Sequence, residues 1–550
     1  MLTIATTLSI QNLSALRHGG QLQISPDSQT RLQRHARFID HILAKNIKAY
    51  GITTGFADLR RISVSPNQAA TLSANILNSH DAGIGPAMPK TLTRLAMIIV
   101  ANALAKGHSG FRPQSLETLV QMINYDIIPL IPRYGSLGAS GDLAYLARLG
   151  RAMMGANNVF VEFEGSTISA QQALSQCHIP PLQPQAKEGL ALVNGTGFMA
   201  AMLLAAFTNQ LLLMENLFAL LALFLNAVSA TEKAFQASIH ALRPHHGQRQ
   251  IAAWLHGFLA NSAFCDNNTV QNDYSIRCLP QILGPLYDNL SHVRSIIETE
   301  LNSVTDNPLI FVDDEITPDL SATDRIPFDS SDWAILSGGN FHGEYLGNAA
   351  DLLAMSNAKL AITLERHLTY VLNPYRNDAL LPKYLIPNPA DAGLCSGYMI
   401  PQYTANALIQ QITFLGNPNS IYNITSANES EDIVSYGATA CQKLLKQQTL
   451  LMDFTAIYLT VIAQAYAIQS AHLKTQGKAL DQNQISERLF ANIRAAFPKD
   501  AFPYAQDHDF SERYTHAQDL IFSGALRETL GYTYAKAFDC HESQFLAFSH

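Results

Sequence analysis

A mainly α-helical chain is predicted, on three observations. Apolar residues recur at helical spacing, with few breakers, over 198–238, 281–304, 344–373, 403–415 and 431–473. Strand signals are short and few, at 159–163 and Leu309–Val312. Hydrophobic residues make up 47% of the 550 and charged residues only 15%, so much surface must be hidden inside a large bundle or between subunits. A mixed N-terminal region followed by a long central helical bundle satisfies all three. Residues 1–197, 198–480 and a peripheral 481–550 are the expected divisions.

Residues 91–106 read as a helix that stops before Gly107, and 116–128 as a second one stopped by Pro129 and Pro132. Asp142 is placed to cap a helix running through Leu143, Leu146 and Leu149 to Met153. No charged residue occurs in 189–214 or in 216–231, lengths that would permit a membrane span. Asn194, Gly195, Thr196, Gly197, Thr208, Asn209 and Gln210 interrupt the first run, Glu215 separates the two, and neither has basic flanks or aromatic belts. Buried helices of a soluble bundle, with no membrane partner, are therefore expected. The stretch 315–332, rich in Asp, Ser, Thr and Pro, reads as a surface loop.

Several function classes drop out. A net charge of -8 without a basic run disfavours nucleic acid and anionic lipid as partners. Six scattered cysteines, none in a CxxC pair, suggest free thiols in a reducing cytoplasm rather than a zinc site or a disulfide framework. The N-terminus has no basic stretch ahead of an apolar one, so no signal peptide is read there. His245, His246 and His342 lack carboxylates at ligand spacing and are expected to be structural, with no metal.

Between two helical patterns lies Tyr134-Gly135-Ser136-Leu137-Gly138-Ala139-Ser140-Gly141-Asp142-Leu143. Its residues alone admit three meanings. One is a glycine-rich turn with Asp142 as a cap. Another is a phosphate cradle at a helix N-terminus, although GxxxxGK[ST], a preceding strand and dinucleotide spacing are all missing. The third is an internal cyclisation. The Gly141 nitrogen would attack the Ala139 carbonyl carbon and close a five-membered ring; loss of water, including the Ser140 hydroxyl, would leave an exocyclic methylidene. Glycine suits the attacking position because it has no Cβ and admits unusual φ/ψ.

The stretch GSLGASGDLAYLA closely resembles the signature of the histidine and phenylalanine/tyrosine ammonia-lyase family. Similar blocks occur as YGITTGF (50–56), NSHDAG (78–83), EGLALVNGTG (188–197), RPHHGQ (243–248), QNDYSIRCLPQILG (271–284), NSVTDNPL (302–309), SGGNFHGE (337–344), SGYMIPQYTA (396–405) and SEDIVSYG (430–437). They keep family order and span most of the chain. The resemblance implies an ammonia-lyase-like fold, with the 1–197 region carrying both a catalytic tyrosine loop and the cyclised loop. It implies a 4-methylidene-imidazol-5-one (MIO) formed autocatalytically from Ala139, Ser140 and Gly141, and no metal or nucleotide. It also implies a homotetramer whose active sites draw on more than one subunit, acting on a small aromatic amino acid; with the free thiols, a cytoplasmic location is expected.

Roles come across by the same resemblance. Removing the substrate's β-hydrogen is the chemical difficulty, and the substrate amine is implied to add to the MIO methylidene, which makes it a better leaving group. Tyr50 matches the family's base; a tyrosine titrates near ~10, so its surroundings must activate it. Gly51 and Gly55 fit a loop that closes over the site. Asn194 and Tyr274 match polar groups beside the MIO, Gln271 a substrate-side glutamine and Phe341 an aromatic lining. Arg277, three residues beyond Tyr274, matches the clamp on the substrate carboxylate. Asn272 stands where the family usually has Asp, and Tyr145 where many relatives have proline.

Two residues address the ring of the substrate. Ser79-His80 matches histidine lyases, and a histidine here also serves tyrosine lyases; a buried imidazole calls for a polar ring atom opposite it. Glu431 matches a glutamate typical of histidine lyases, able to accept an imidazole N–H, where phenylalanine and tyrosine lyases more often have glutamine. CLPQILGP, GNFHGEYLG and Gly197 pull toward tyrosine lyases. Histidine, converted to urocanate, is narrowly favoured over tyrosine or phenylalanine, converted to p-coumarate or cinnamate. An MIO aminomutase shares the chemistry. A non-catalytic binding paralogue is the alternative of a different class, and retention of Tyr50, Ala139, Ser140, Gly141, Asn194 and Arg277 argues against it.

Overall fold

The computed structural model describes all residues except Ala505, His508, Tyr532, 541–545 and 547–550, so part of the peripheral stretch 481–550 lies outside the described residues. Helices dominate. The longest are Gly197–Ala227, Leu279–Glu300, Glu344–Leu372 and Gly437–Thr475. Gly197–Ala227 is buried throughout its apolar stretch, and Gly437–Thr475 almost so, which makes both of them core helices.

Two predicted helices end elsewhere. The pattern at 198–238 breaks after Ala227: Ser229 takes φ +50°, and a 3₁₀ turn, Glu232–Phe235, follows with Thr231 Oγ1 accepting the Lys233 N–H. Residues 431–436 are not helical, and Tyr436, at φ +49°, turns the chain into Gly437–Thr475.

The chain divides into two compact units. The first comprises Met1–Ala205, Ser295–Ala350 and Asn419–Gln442. Its helix Pro26–Ala44 starts with Ser25 accepting the Ser28 N–H and with Pro26 at the first position. That helix buries Phe38, Ile39 and Ile42 in a cluster with Ala49, Ile52, Ile310 and Trp333. Trp333 stacks on Phe38 at 4.8 Å and belongs to Ser331–Leu336, the central strand of an antiparallel sheet with Leu309–Val312 and Ile326–Phe328. The 315–332 stretch is thus not all surface loop: its end folds over the core, with the Phe328 ring 5.3 Å from Trp333.

The helix expected over 116–128 runs Pro113–Asn124. Asp126, at φ +57°, redirects the chain so that Ile128–Pro129 pairs with Phe160–Phe163. Asp142 does not cap the helix that follows it. That helix, Ala144–Met153, begins after Leu143 with no side-chain cap. The Asp142 carboxylate instead accepts the backbone N–H groups of Phe198 and Met199, at 2.6 and 3.2 Å, and so caps the start of Gly197–Ala227.

The second unit comprises Ala206–Arg294, Asp351–Pro418 and Lys443–His550. Buried amides tie its helices together. Gln210 Oε1 accepts from Asn357 Nδ2 and Gln448 Nε2, both at 2.9 Å, while Gln447 Nε2 donates to the Ala354 and Ile412 carbonyls. Asn209 makes a two-way pair with the Leu546 backbone. The polar residues that interrupt the charge-free run therefore have partners inside the fold.

Candidate active site

The Tyr50 loop is held from both sides. Ala49 and Ile52 sit in the core cluster, and Thr53 Oγ1 donates to the Ile47 carbonyl while accepting the Ala49 N–H. Gly51 adopts φ +64°, and a Cβ there would come within 2.4 Å of the Leu190 side chain. At Gly55 a Cβ would meet the Leu59 carbonyl oxygen at 2.6 Å. Close packing therefore accounts for both glycines. The loop turns the Tyr50 phenol back so that its oxygen accepts the Ala57 N–H at 2.9 Å. Burial raises the Tyr50 pKa, the Ala57 N–H opposes that rise, the Glu431 carboxylate adds to it and Arg60 opposes it.

The Ala139-Ser140-Gly141 loop is pinned at several points. Ser136 Oγ donates to the Gly141 carbonyl at 2.8 Å and accepts the Gly138 N–H. Leu137 O accepts the Tyr436 N–H at 2.8 Å, and Gly138 O accepts from Ser435 Oγ at 3.0 Å. Gly141, at φ +84°, lies so close to Gly195 that a Cβ would sit 2.0 Å from the Gly195 carbonyl oxygen. That oxygen accepts the Asp142 N–H at 2.7 Å. Burial pushes the Asp142 carboxyl up to about 8, against the two N–H groups it accepts. Tyr145, the departure from proline, is an anchor: its buried hydroxyl donates to the Arg133 carbonyl at 2.7 Å and accepts from Gln442 Nε2 at 3.0 Å.

Glu431 links the elements. Its Oε1 accepts from Ser140 Oγ at 2.8 Å and its Oε2 from Ser426 Oγ at 2.7 Å. Its charge also acts on Tyr50 and on His80, the last residue of the helix Ala69–His80. Burial lowers the His80 pKa, a shift that the Ile76 backbone and Glu431 oppose. The ring lies edge-on to Phe56 at 5.5 Å, with Nδ1 3.0 Å from Ser79 Oγ. Tyr50, His80, Ser140 and Glu431 thus form one constellation. Asn194 joins from the next turn, its Nδ2 donating to the Asn307 carbonyl at 3.3 Å, while Gly195 pairs with Gly141. Phe341, half-buried, sits in a loop fastened by Gly338 N–H to Asn307 Oδ1 and by Gly343 N–H to the Gly138 carbonyl.

Gln271, Tyr274 and Arg277 belong to the second unit and form a group of their own. They line a cavity of ≈ 670 Å³ with Arg366, Tyr370 and Arg376. The short helix Tyr274–Arg277 starts at Asp273, whose carbonyl accepts the Ile276 and Arg277 N–H groups and whose carboxylate meets Arg376 at 2.5 Å. The Arg277 guanidinium lies 4.6 Å over the Tyr274 ring, and its buried Nε has no hydrogen-bond partner among the described residues. Such an orphaned donor suits an anionic ligand. Asn272, the departure from Asp, uses its Oδ1 to accept the Thr231 N–H at 3.0 Å, a bond that a carboxylate would make equally well.

Sequence reasoning missed Ser426, Ala57 and the Asp273–Arg376 pair. The first two act through turns that carry no periodic signal. The pair joins residues a hundred positions apart, so only an acid beside the Tyr274 motif could have hinted at it.

The aromatic amino acid lyase sequence model matches residues 8–495. A histidine ammonia-lyase from Koribacter versatilis is 36% identical over 507 residues, covering 92% of this chain and 94% of that one. Among solved structures, histidine ammonia-lyase from Trypanosoma cruzi is 28% identical with a TM-score of 0.81, covering 100% of both chains. Tyrosine aminomutase from Streptomyces globisporus is 27% identical with a TM-score of 0.83, covering 96% of this chain and 98% of the other.

Proposed function

Since the chain belongs to the aromatic amino acid lyase family and is a carbon–nitrogen lyase, we propose that it eliminates ammonia from L-histidine to give urocanate. The observation that supports the choice of substrate is that Glu431, which accepts from Ser140, also acts electrostatically on His80. A carboxylate fixed by Ser426 can accept the N–H of an imidazole, and a neutral His80 can exchange a second hydrogen bond with the ring. The names of the histidine ammonia-lyases from K. versatilis and T. cruzi agree with it.

The prosthetic group of this reading is an MIO closed from residues 139–141. The backbone fits it: Gly141 takes a positive φ in a space without room for a Cβ, and Ser136 and Asp142 clamp the two ends of the bend. When formed, the group supplies an electrophilic carbon that turns the substrate amine into a leaving group. The chain's own residues do the rest. Arg277 grips the carboxylate, with Gln271 and Tyr274 beside it, and Phe341 lines the ring pocket. Asn194 holds the polar edge next to the loop. Tyr50 takes the β-proton at its phenolic oxygen, where the Ala57 N–H stabilises the anion.

The reading extends to a cytoplasmic homotetramer with shared active sites. Exposed Ile400, Tyr403 and Phe414 on one face of the helix Met399–Phe414 suit a subunit interface. Tyrosine aminomutase among the similar structures supports one second reading, return of ammonia to the β-carbon. Proton NMR of L-histidine incubated with the purified chain tests both. Urocanate with equimolar ammonia is expected; a β-amino acid product would replace lyase by aminomutase, and unconsumed histidine would overturn the substrate assignment.

A further inference from the structure

The segment that ends in Glu431–Tyr436 is docked on the 137–140 loop at three points: Ser140 Oγ to Glu431 Oε1, Ser435 Oγ to Gly138 O, and Tyr436 N–H to Leu137 O. Glu431 is itself immobilised. Ser426 Oγ holds its second oxygen, and the Ser426 and Glu431 backbones exchange both hydrogen bonds, at 3.1 and 3.3 Å. The contact is therefore made to the serine hydroxyl by a carboxylate that is fixed before any substrate arrives. In the proposed function Glu431 reads the substrate ring, and that role does not account for a hydrogen bond to unmodified Ser140.

We propose that Glu431 is a positioning residue for formation of the electrophile, holding the Ser140 side chain in the single orientation from which its hydroxyl is lost. The inference rests on the MIO reading above. Two waters leave in separate steps. In the first, the Gly141 nitrogen bonds to the Ala139 carbonyl carbon; the carbonyl oxygen departs with the Gly141 and Ser140 amide hydrogens, leaving a C=N bond. In the second, the Ser140 Cα–H electron pair becomes the Cα=Cβ bond as Cβ–Oγ breaks, and the hydroxide leaves with the Cα proton as water. Elimination requires the breaking Cβ–Oγ bond to align with the electron pair at Cα, so the Ser140 rotamer decides the rate of the second step. Ring closure involves only backbone atoms and does not require that rotamer. A free serine hydroxyl samples three staggered wells, whereas one held by Glu431 samples one. Losing a charge-assisted hydrogen bond slows the second step by about ten- to a hundredfold.

The test is intact mass and peptide mapping of the full-length wild type, Glu431→Ala and Glu431→Gln, each checked for folding by circular dichroism. Wild type is expected to lack two waters. Glu431→Ala is expected to accumulate a form lacking one water, ring-closed with the hydroxyl retained, that converts slowly. Glu431→Gln keeps an acceptor oxygen at the same place and is expected to restore the two-water deficit while remaining impaired in histidine turnover. A merely structural role would not produce that split. Glu431→Ala maturing at the wild-type rate, or a folded Glu431→Ala at full mass, would overturn the assignment. So would Glu431→Gln stalling with Glu431→Ala, or, if the alanine variant fails to fold, Glu431→Gln stalling at one water. A wild type at full mass would instead overturn the MIO reading itself.

Discussion

His367 should prove indispensable to the turn that presents Arg277, and a single substitution isolates why. Its ring is fully buried and stacks on Phe224 at 3.9 Å. Nε2 lies 2.8 Å from the Ser275 carbonyl, which can only accept, so Nε2 carries the hydrogen and Nδ1 accepts from Tyr458 OH at 3.0 Å. Ser275 lies inside the turn Tyr274–Arg277. His367→Phe preserves the stack but leaves the half-buried Ser275 carbonyl and the buried Tyr458 hydroxyl unpaired. The hydroxyl alone costs about 1–3 kcal/mol, and the half-buried carbonyl adds less than that. The pH dependence has a definite sign. Burial lowers the His367 pKa to about 4, so the unfolded chain binds the proton first. The stability this group contributes is present above pH ~6.5 and is lost as pH falls toward 4. Urea midpoints of wild type and variant at pH 7.5, 6 and 4.5, roughly spanning that window, should therefore converge on acidification. With the turn loosened, KM should rise more than kcat falls. Equal midpoints at neutral pH, or a gap that does not narrow in acid, would rule out this role for His367.

Gly141→Ala forces a Cβ to within 2.0 Å of the Gly195 oxygen at a positive φ, so the variant should retain its full mass and lose turnover. Arg376→Ala removes the partner of Asp273; for a half-exposed pair worth about 0.2–1 kcal/mol, KM should rise by about 1.4- to fivefold, and exchanging the two charges should recover part of it in steady-state kinetics. Tyr50→Phe should keep the two-water deficit yet lose about 10²–10⁴ in kcat. Arg60 lowers the Tyr50 pKa, so Arg60→Ala should move the Tyr50 limb of the pH–rate profile to higher pH.

Much of this architecture is legible in the sequence because its main elements are long. Leu279–Glu300 and Glu344–Leu372 repeat apolar residues over many turns, and a period of 3.6 accumulates signal with length. Ile128–Pro129 and Ile326–Phe328 are too short to establish alternation, so sequence pattern alone assigns Ile128 to the end of a helix and Ile326–Phe328 to a loop. Asp142 is instructive in another way. A carboxylate just before an apolar run suggests a local cap, but its partners, Phe198 and Met199, lie far along the chain, and no spacing encodes that. The residues proposed for the site were found through motif resemblance, while their couplings were not. Glu431 carries no sign in sequence that it meets Ser140, and Tyr50 none that its oxygen faces the Ala57 N–H. Such contacts are made by loops whose geometry is set by packing rather than by periodicity.

The choice of substrate rests on His80 and Glu431, and kcat/KM tests it most directly. Purified chain is assayed in parallel with L-histidine, L-tyrosine and L-phenylalanine, following the conjugated acrylate by ultraviolet absorbance. Histidine should be used best, by at least roughly a hundredfold over phenylalanine, whose ring offers neither His80 nor Glu431 a hydrogen bond. Faster turnover of tyrosine or phenylalanine, or inertness toward all three, would contradict it.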